Sequence, residues 1–442
     1  MKAGFVSLGC SKNLVDTEVM LGLIRERSIE LVNDPAEADI LIVNTCAFIQ
    51  SAKEESINTI LNMAQYKNPE KGHCRILIIA GCLGQRYGQE LLDELPEADG
   101  IIGTEAWDRI SEVIDEALKG NRVVIKGDGP IIYDASVPRI PTTPKHTAYV
   151  KIAEGCNNRC AFCAIPLIRG KFRSRRMEDI IQEVRQLAES GVKEIVLIAQ
   201  DTTNYGHDIY GEPKLAQLLK DLCRIEGIRW IRTLYSYPRF FSDELIEVLA
   251  SEEKLVKYVD IPLQHASNQV LRNMRRPDTK EEISRLLEKL RQRVPGVVIR
   301  STFIVGFPGE TREQFEELKA FLTEQRFDHV GIFTYSKEED TPAAAMEDQV
   351  PEDEMQNRYH ELKAVQSLIS QEINESLEGQ VLDVVVEGHT DEGMPYGRSY
   401  RQADDVDDLV YIEGDTESQV GDMVKVRILQ GFTEDMVGEL AQ

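Results

Sequence analysis

Nine times between residues 3 and 334, a short apolar run gives way to a stretch whose apolar positions recur at helical spacing. No other feature constrains the fold as tightly, because strands joined through helices pair in parallel while the helices cover the sheet. The first three runs predict strands over Ala3–Leu8, Asp39–Asn44 and Arg75–Ala80, with crossover helices over Val15–Arg25 and Ala52–Ala64. Residues 1–123 therefore read as an open parallel α/β sheet of the doubly wound type. Six further runs, YVKIAE, EIVLIAQ, WIRTLYS, VKYVDIP, VVIRSTFIVG and HVGIFTY, follow between Ala148 and Thr334. They predict a partial (βα)6 barrel within residues 142–373.

Around residues 130–145 the sequence IIYDASVPRIPTTPKH, with Pro138, Pro141 and Pro144, reads as a linker. A polar helix is expected from Glu352 to Leu377, begun by Pro351. The tail then changes character. Its runs VLDVVVEG, LVYIEG and DMVKVRILQGF, punctuated by glycines, predict a small antiparallel β barrel over residues 376–442. Three domains suit a chain of 442 residues.

No apolar run approaches the roughly 18 residues that cross a bilayer, and no targeting segment stands out, so the chain reads as cytoplasmic, without a membrane partner. Eight cysteines in this length are too few for a secreted disulfide scaffold, and in a reducing compartment grouped cysteines read first as metal ligands. The formal net charge of −25 opposes a polyphosphate partner and suits a basic protein one.

One group is compact. In EGCNNRCAFCAIP, Cys156, Cys160 and Cys163 form a CxxxCxxC loop directly after the first barrel strand. Three thiolates this close can grip three corners of a [4Fe–4S] cube and leave its fourth iron open. An open iron can chelate the amino and carboxylate groups of S-adenosylmethionine (SAM) and, fed by an external electron donor, pass one electron to the sulfonium. The product is a carbon radical that takes hydrogen from unactivated C–H bonds, which acid–base side chains cannot do. A zinc site is the competing reading, but it wants four ligands in wider-spaced pairs, and His146 is the only other Cys or His nearby. The loop also stands at the carboxyl end of a strand, where barrels place active sites.

Other strand ends supply candidate SAM contacts: Phe162 for the adenine, Gln200, Ser236 and Gln264 as polar groups, and Gly306 for close backbone approach. Asp201 and His265 stand beside them; His265 reads equally as a satisfied turn residue. The run RGKFRSRR, with Arg169, Lys171, Arg173, Arg175 and Arg176, reads either as a solvated charged face or as a strip orienting carboxylates of SAM or substrate.

A second trio is dispersed. Cys10, Cys46 and Cys82 each follow an apolar strand, in FVSLGC, LIVNTC and LIIAGC, 36 residues apart. Neighbouring parallel strands share one crevice at their carboxyl ends, so these thiols are expected to converge there. They predict a second [4Fe–4S] cluster with an open iron for exogenous sulfur, against the plainer reading of buried structural cysteine. Cys74 and Cys223 lack such company and read as packing residues.

SLGCSKNLVDTE, NTCAFI and AGCLGQRY in the first domain, GCNNRCAFCAIP in the second, then IPLQHAS, FIVGFPGET and FTYSKEEDTPAA together resemble the radical-SAM methylthiotransferases, across essentially the whole chain. The resemblance implies two [4Fe–4S] clusters, SAM as both methyl donor and radical source, sulfide or polysulfide as the sulfur, and a C-terminal substrate-binding barrel of the TRAM type. SLGCSKNLVDTE is similar to the branch that methylthiolates the β-carbon of an aspartate in small-subunit ribosomal protein twelve, at the decoding centre. A sister branch modifies an isopentenylated or threonylcarbamoylated adenosine beside the tRNA anticodon; its isopentenyl members usually carry methionine where this chain has Lys12.

Charge separates the two. From Ser376 to Gln442 sixteen acidic residues face four basic ones, Arg398, Arg401, Lys425 and Arg427. Such a field repels phosphates and disfavours RNA, whereas it steers in a basic ribosomal protein; an acidic surface kept only for solubility is the plain alternative. A non-catalytic iron–sulfur carrier would explain both trios but would leave the barrel and the strand ends idle.

Overall fold

The computed structural model describes residues 1–127, 133–404 and 406–441. Six strands make the first sheet: β1 (Lys2–Ser7), β2 (Glu30–Leu31), β3 (Ile40–Thr45), β4 (Ile76–Gly81), β5 (Gly100–Ile102) and β6 (Val123–Ile125). They lie in the order β2-β1-β3-β4-β5-β6 with every neighbouring pair parallel. β3 and β4 are buried along their whole length, so ILIVNT and ILIIAG show no polar alternation: both faces meet other elements. The three expected strands are present, each displaced by one residue. β2, β5 and β6 are too short to declare a period. The first helix, Ser11–Glu26, begins four residues before the expected Val15, directly after Cys10.

The central domain contains β7 (Thr147–Lys151), β8 (Ala153–Glu154), β9 (Arg173–Ser174), β10 (Glu194–Ile198), β11 (Trp230–Thr233), β12 (Tyr258–Gln264), β13 (Val298–Val305) and β14 (His329–Thr334). β8 and β9 form a short antiparallel ribbon. The other six run parallel in two halves, β7-β10-β11 and β12-β13-β14. The halves are stitched by an Ile231–Leu255 bridge and by the Ser236 amide donating to the Asp260 carbonyl at 2.9 Å. The arc is the partial (βα)6 barrel expected. Helix Ser11–Glu26 lies against the edge strand β7, and helix Glu352–Glu375 packs along the other edge, β14. Tyr149, Val196, Ile198 and Tyr258 share one apolar cluster with Val15, Val19 and Met20, so the first domain plugs the open side of the barrel.

The stretch expected as a linker is a packed strap. Its residues 130–132 lie outside the described residues; beyond them Tyr133 is buried, and Arg139 pairs with Glu18 and Glu183, both at 2.6 Å. Its prolines stiffen an extended path along the first helix rather than marking free chain.

β15 (Val381–His389), β16 (Pro395–Ser399), β17 (Val410–Glu413), β18 (Met423–Gly431) and β19 (Met436–Leu440) close into a barrel in the order β15-β16-β17-β19-β18. It is not wholly antiparallel as expected, because β17 and β19 run parallel. A closed ring of five strands cannot alternate direction all the way round. This barrel docks on the amino ends of the central strands. Arg398 pairs with Glu194, the first residue of β10, at 2.8 Å; Arg401 pairs with Asp328 at 2.6 Å; His146 meets Glu387 at 3.0 Å.

Of the acidic residues Asp404, Asp405, Asp407 and Asp408, Asp405 lies outside the described residues, while Asp404 and Asp407 are drawn into that junction. The Asp407 carboxylate, 2% exposed, accepts from the Tyr258 hydroxyl at 2.5 Å and sits 3.4 Å from Arg300 Nε. Burial, then the neighbouring Asp407, Asp435 and Glu434, push the Asp408 carboxyl up to about 7. The outer face stays acidic: among the described residues of the tail, nine carboxylates are exposed against two bases, Lys425 and Arg427. Among the described residues no helix is long and apolar enough to cross a membrane.

Candidate active site

Parallel pairing of β1, β3 and β4 delivers Cys10, Cys46 and Cys82 to one crevice. Cys10 caps helix Ser11–Glu26, Cys46 follows β3, and Cys82 opens helix Cys82–Tyr87. Their closeness is written into Gly9, whose φ is +86°: a Cβ there would stand 2.8 Å from Cys46 Cβ and 3.2 Å from Cys46 Sγ, so only glycine lets the two loops approach. Asn13 ties the strand ends, its Nδ2 donating to the Leu8 carbonyl at 3.0 Å and the Thr45 carbonyl at 2.8 Å.

Cys156, Cys160 and Cys163 line the loop after β8. The Cys156 amide donates to the Gly170 carbonyl at 3.2 Å, the Cys163 amide to the Cys160 carbonyl at 3.1 Å, and Arg276 Nη1 approaches Cys160 Sγ at 4.0 Å. Burial raises the thiol pKa throughout this trio, taking Cys156 to about 11. In the other trio burial likewise raises Cys46, and Cys82 to about 12. At Cys10 Lys12 and Arg169 outweigh it and hold the thiol below its ordinary value. Five of the six are therefore held protonated by the protein alone, and a bound metal would displace those protons.

A buried ion network crosses the domain boundary beside Cys82. Arg169, 1% exposed, donates through Nη1 to Asp16 and Glu154 at 2.9 Å each, and Nη2 reaches Asn13 Oδ1 and, at 3.7 Å, Cys82 Sγ. Lys151 donates to the same two carboxylates, at 2.7 Å to Glu154. The sequence reading missed Asn13, Asp16, Lys151, Glu154 and Arg276; the available signal was polar residues on a helix with no solvent face and an acid two places before Cys156. The basic run is divided: Lys171 and Arg176 are exposed, while the other three turn inward. Arg169 and Arg175 are buried, Arg175 on Glu183, and Arg173 stands 3.5 Å from Glu105.

The expected SAM contacts gather at the carboxyl ends of the strands in differing states. Gln200 donates to Glu154 Oε1 at 2.7 Å while its own Oε1 is buried without a partner. Ser236 is buried, and Gln264 sits at φ +73°, a strained conformation for a side-chain-bearing residue. Phe162 packs partly buried among Ala161, Met274, Phe307 and Tyr335. Gly306 corrects its expectation: a Cβ there would lie 2.1 Å from Met355 Cγ, so the close approach it permits is made by the long helix. His265 is a satisfied turn residue on one side, Nδ1 accepting from the Ser267 amide at 2.9 Å, while Nε2 stands 3.4 Å from Glu310. His146 serves the C-terminal junction, and Cys74 and Cys223 are buried packing residues as expected.

These residues fit iron–sulfur clusters and SAM. The donors are soft thiols in two trios, and among the described residues no three Cys, His, Asp or Glu close tightly enough to grip a single ion. Around Cys156, Cys160 and Cys163, buried polar atoms of Gln200, Arg276, Asp278 and Tyr335 have no protein partner, as groups awaiting a polar ligand do. A surface cavity of about 590 Å³ lined by Arg185, Asp221 and Arg224 touches neither trio.

Three family models match in order: an uncharacterized protein family, UPF0004, over residues 2–103, the radical SAM superfamily over 150–322, and the TRAM domain over 379–441. The chain is 53% identical over 442 residues to the ribosomal protein uS12 methylthiotransferase RimO of Desulforamulus reducens, covering 99% of each. It is 50% identical to RimO of Heliobacterium modesticaldum, over 99% of this chain and 95% of that one. Among solved structures, the radical SAM methyltransferase TsrM from Kitasatospora setae aligns with TM-score 0.56 at 12% identity, over 86% of this chain and 77% of that one. The cobalamin-dependent SAM radical enzyme OxsB aligns with TM-score 0.54 at 14% identity, over 82% and 56%. Those two likenesses speak for the fold alone. The radical SAM match makes this an iron–sulfur enzyme that uses SAM. With its three modules in the same order and about half its residues shared end to end, the chain belongs to the RimO family of radical-SAM methylthiotransferases.

Proposed function

We propose that this enzyme, in the cytoplasm, adds a methylthio group to the β-carbon of an aspartate in ribosomal protein uS12. The observation that carries the reading is the presence of two thiol trios in a chain about half identical to RimO proteins over 99% of its length. Cys156, Cys160 and Cys163 hold the cluster that opens SAM, and Cys10, Cys46 and Cys82 hold a second cluster that carries sulfide or polysulfide. When bound, the SAM-binding cluster supplies an electron to the sulfonium and so a carbon radical able to take hydrogen from a β-CH₂ group. The protein's own part is to hold and exclude. Phe162, Gln200, Ser236 and Gln264 border the space for SAM, and the plugged barrel keeps water from a radical. An external reductant supplies electrons. The acidic C-terminal barrel attracts a basic ribosomal protein and repels RNA.

The test is mass spectrometry of uS12 and of bulk tRNA from a deletion strain. The expected result is loss of the methylthio mass from uS12 with tRNA unchanged. Loss from a tRNA adenosine with uS12 unaltered would move the enzyme to the tRNA branch.

A further inference from the structure

Arg169 belongs to the radical core by sequence, six residues beyond Cys163, yet its guanidinium ends among the thiols of the other domain. Asn13 clamps the carbonyls just before Cys10 and Cys46, and Arg169 joins Asn13 to Cys82. One side chain thus touches the scaffold of all three thiols, while its other terminal nitrogen is anchored on Asp16 and Glu154. The site needs an arginine's planar fork, because a lysine ammonium is a single point charge and cannot serve two opposed sets of acceptors with one rigid group.

We propose that Arg169 is the positioning residue of the Cys10, Cys46 and Cys82 centre, fixing its geometry and raising its reduction potential from across the domain boundary. The proposal rests on the reading that this trio holds a cluster. Reduction adds negative charge, and a cation donating a hydrogen bond to a ligand sulfur favours the more negative state. Removing Arg169 acts twice in one direction: the cation is lost, and Asp16 and Glu154 keep Lys151 as the one cation bonded to both.

The experiment uses the full-length chain with Cys156, Cys160 and Cys163 replaced by alanine, reconstituted without oxygen with iron and sulfide. A redox titration followed by electron paramagnetic resonance then reads the remaining centre. Arg169→Gln is expected to lower its midpoint potential and change its g-values. Arg169→Lys, which keeps charge but not the fork, is expected to fall between. Arg169→Gln combined with Asp16→Asn restores the local charge balance and is expected to recover part of the potential without the original g-values. If Arg169→Gln fails to fold, the other two variants decide. A centre with unchanged potential and g-values in every folded variant would overturn the role of Arg169. A parent chain that binds no iron would sink the cluster reading, and this proposal with it.

Discussion

The two ends of the central barrel differ in what their buried polar groups meet. At the amino end, charges are paired: Arg398 and Arg232 grip Glu194, Arg401 grips Asp328, and Tyr258 caps Asp407. At the carboxyl end, buried polar atoms of Gln200, Arg276, Asp278 and Tyr335 lack protein partners, and Arg159, Tyr235, Gln264 and Arg275 hold left-handed backbone. Unpaired groups and local strain each cost about 1–3 kcal/mol, so a fold keeps them only where something else makes use of them. The candidate site thus gathers at the carboxyl ends of the strands, where barrel enzymes generally place their reactive groups.

The comparison breaks most visibly at the cysteines. Replacing Cys156, Cys160 and Cys163 by alanine is expected to abolish 5′-deoxyadenosine formation and remove about half the bound iron, since on the proposed reading each trio holds one cluster. Replacing Cys10, Cys46 and Cys82 is expected to remove the other half and stop methylthiolation while deoxyadenosine still forms. Iron analysis and product chromatography read both. A second variant that kept all its iron would leave the first-domain trio structural.

Changes at the paired end should instead cost stability. Glu194→Gln leaves Arg398 and Arg232 short of a buried partner, for about 3–5 kcal/mol. Urea unfolding should show it, with SAM cleavage per folded molecule unchanged. Burial alone would raise the Glu194 carboxyl, but the two arginines hold it at about 2. Its contribution is therefore complete above the unfolded value of about 4.3 and is lost as pH falls toward 2. Asp408 runs the other way. Its carboxyl is raised to about 7, so its charge destabilises the fold increasingly as pH climbs from about 4 through 7. Asp408→Asn is expected to stabilise by about 1 kcal/mol above pH 7 and to make no difference below pH ~4, by thermal melts across pH. A constant difference at every pH would assign the effect to packing.

Much of this was legible in the sequence. Nine apolar runs gave nine strands, and strand-end cysteines announced both trios, because buried parallel strands and closely spaced thiols leave local marks. What stayed hidden is non-local. Nothing near RGKFRSRR says that Arg169 will meet Asp16, 153 residues away, or that Arg398 will leave the acidic tail to pair with Glu194, 204 residues away. The short strands β2, β5 and β6 and the parallel pair β17–β19 likewise follow from closure and neighbours rather than from their own residues.

The docking of the acidic barrel at the amino ends has a metric consequence. β10, which starts at the docked Glu194, is five residues long, so about 17 Å of strand separates that surface from the carboxyl ends of the strands. On the proposed reading, a client drawn to the barrel and altered at those ends must bridge this distance, as an object is measured between caliper jaws. A peptide carrying the target aspartate in fewer than about five extended residues would touch only one jaw. A folded ribosomal protein would reach both, and selection for size and shape would then come from the spacing itself.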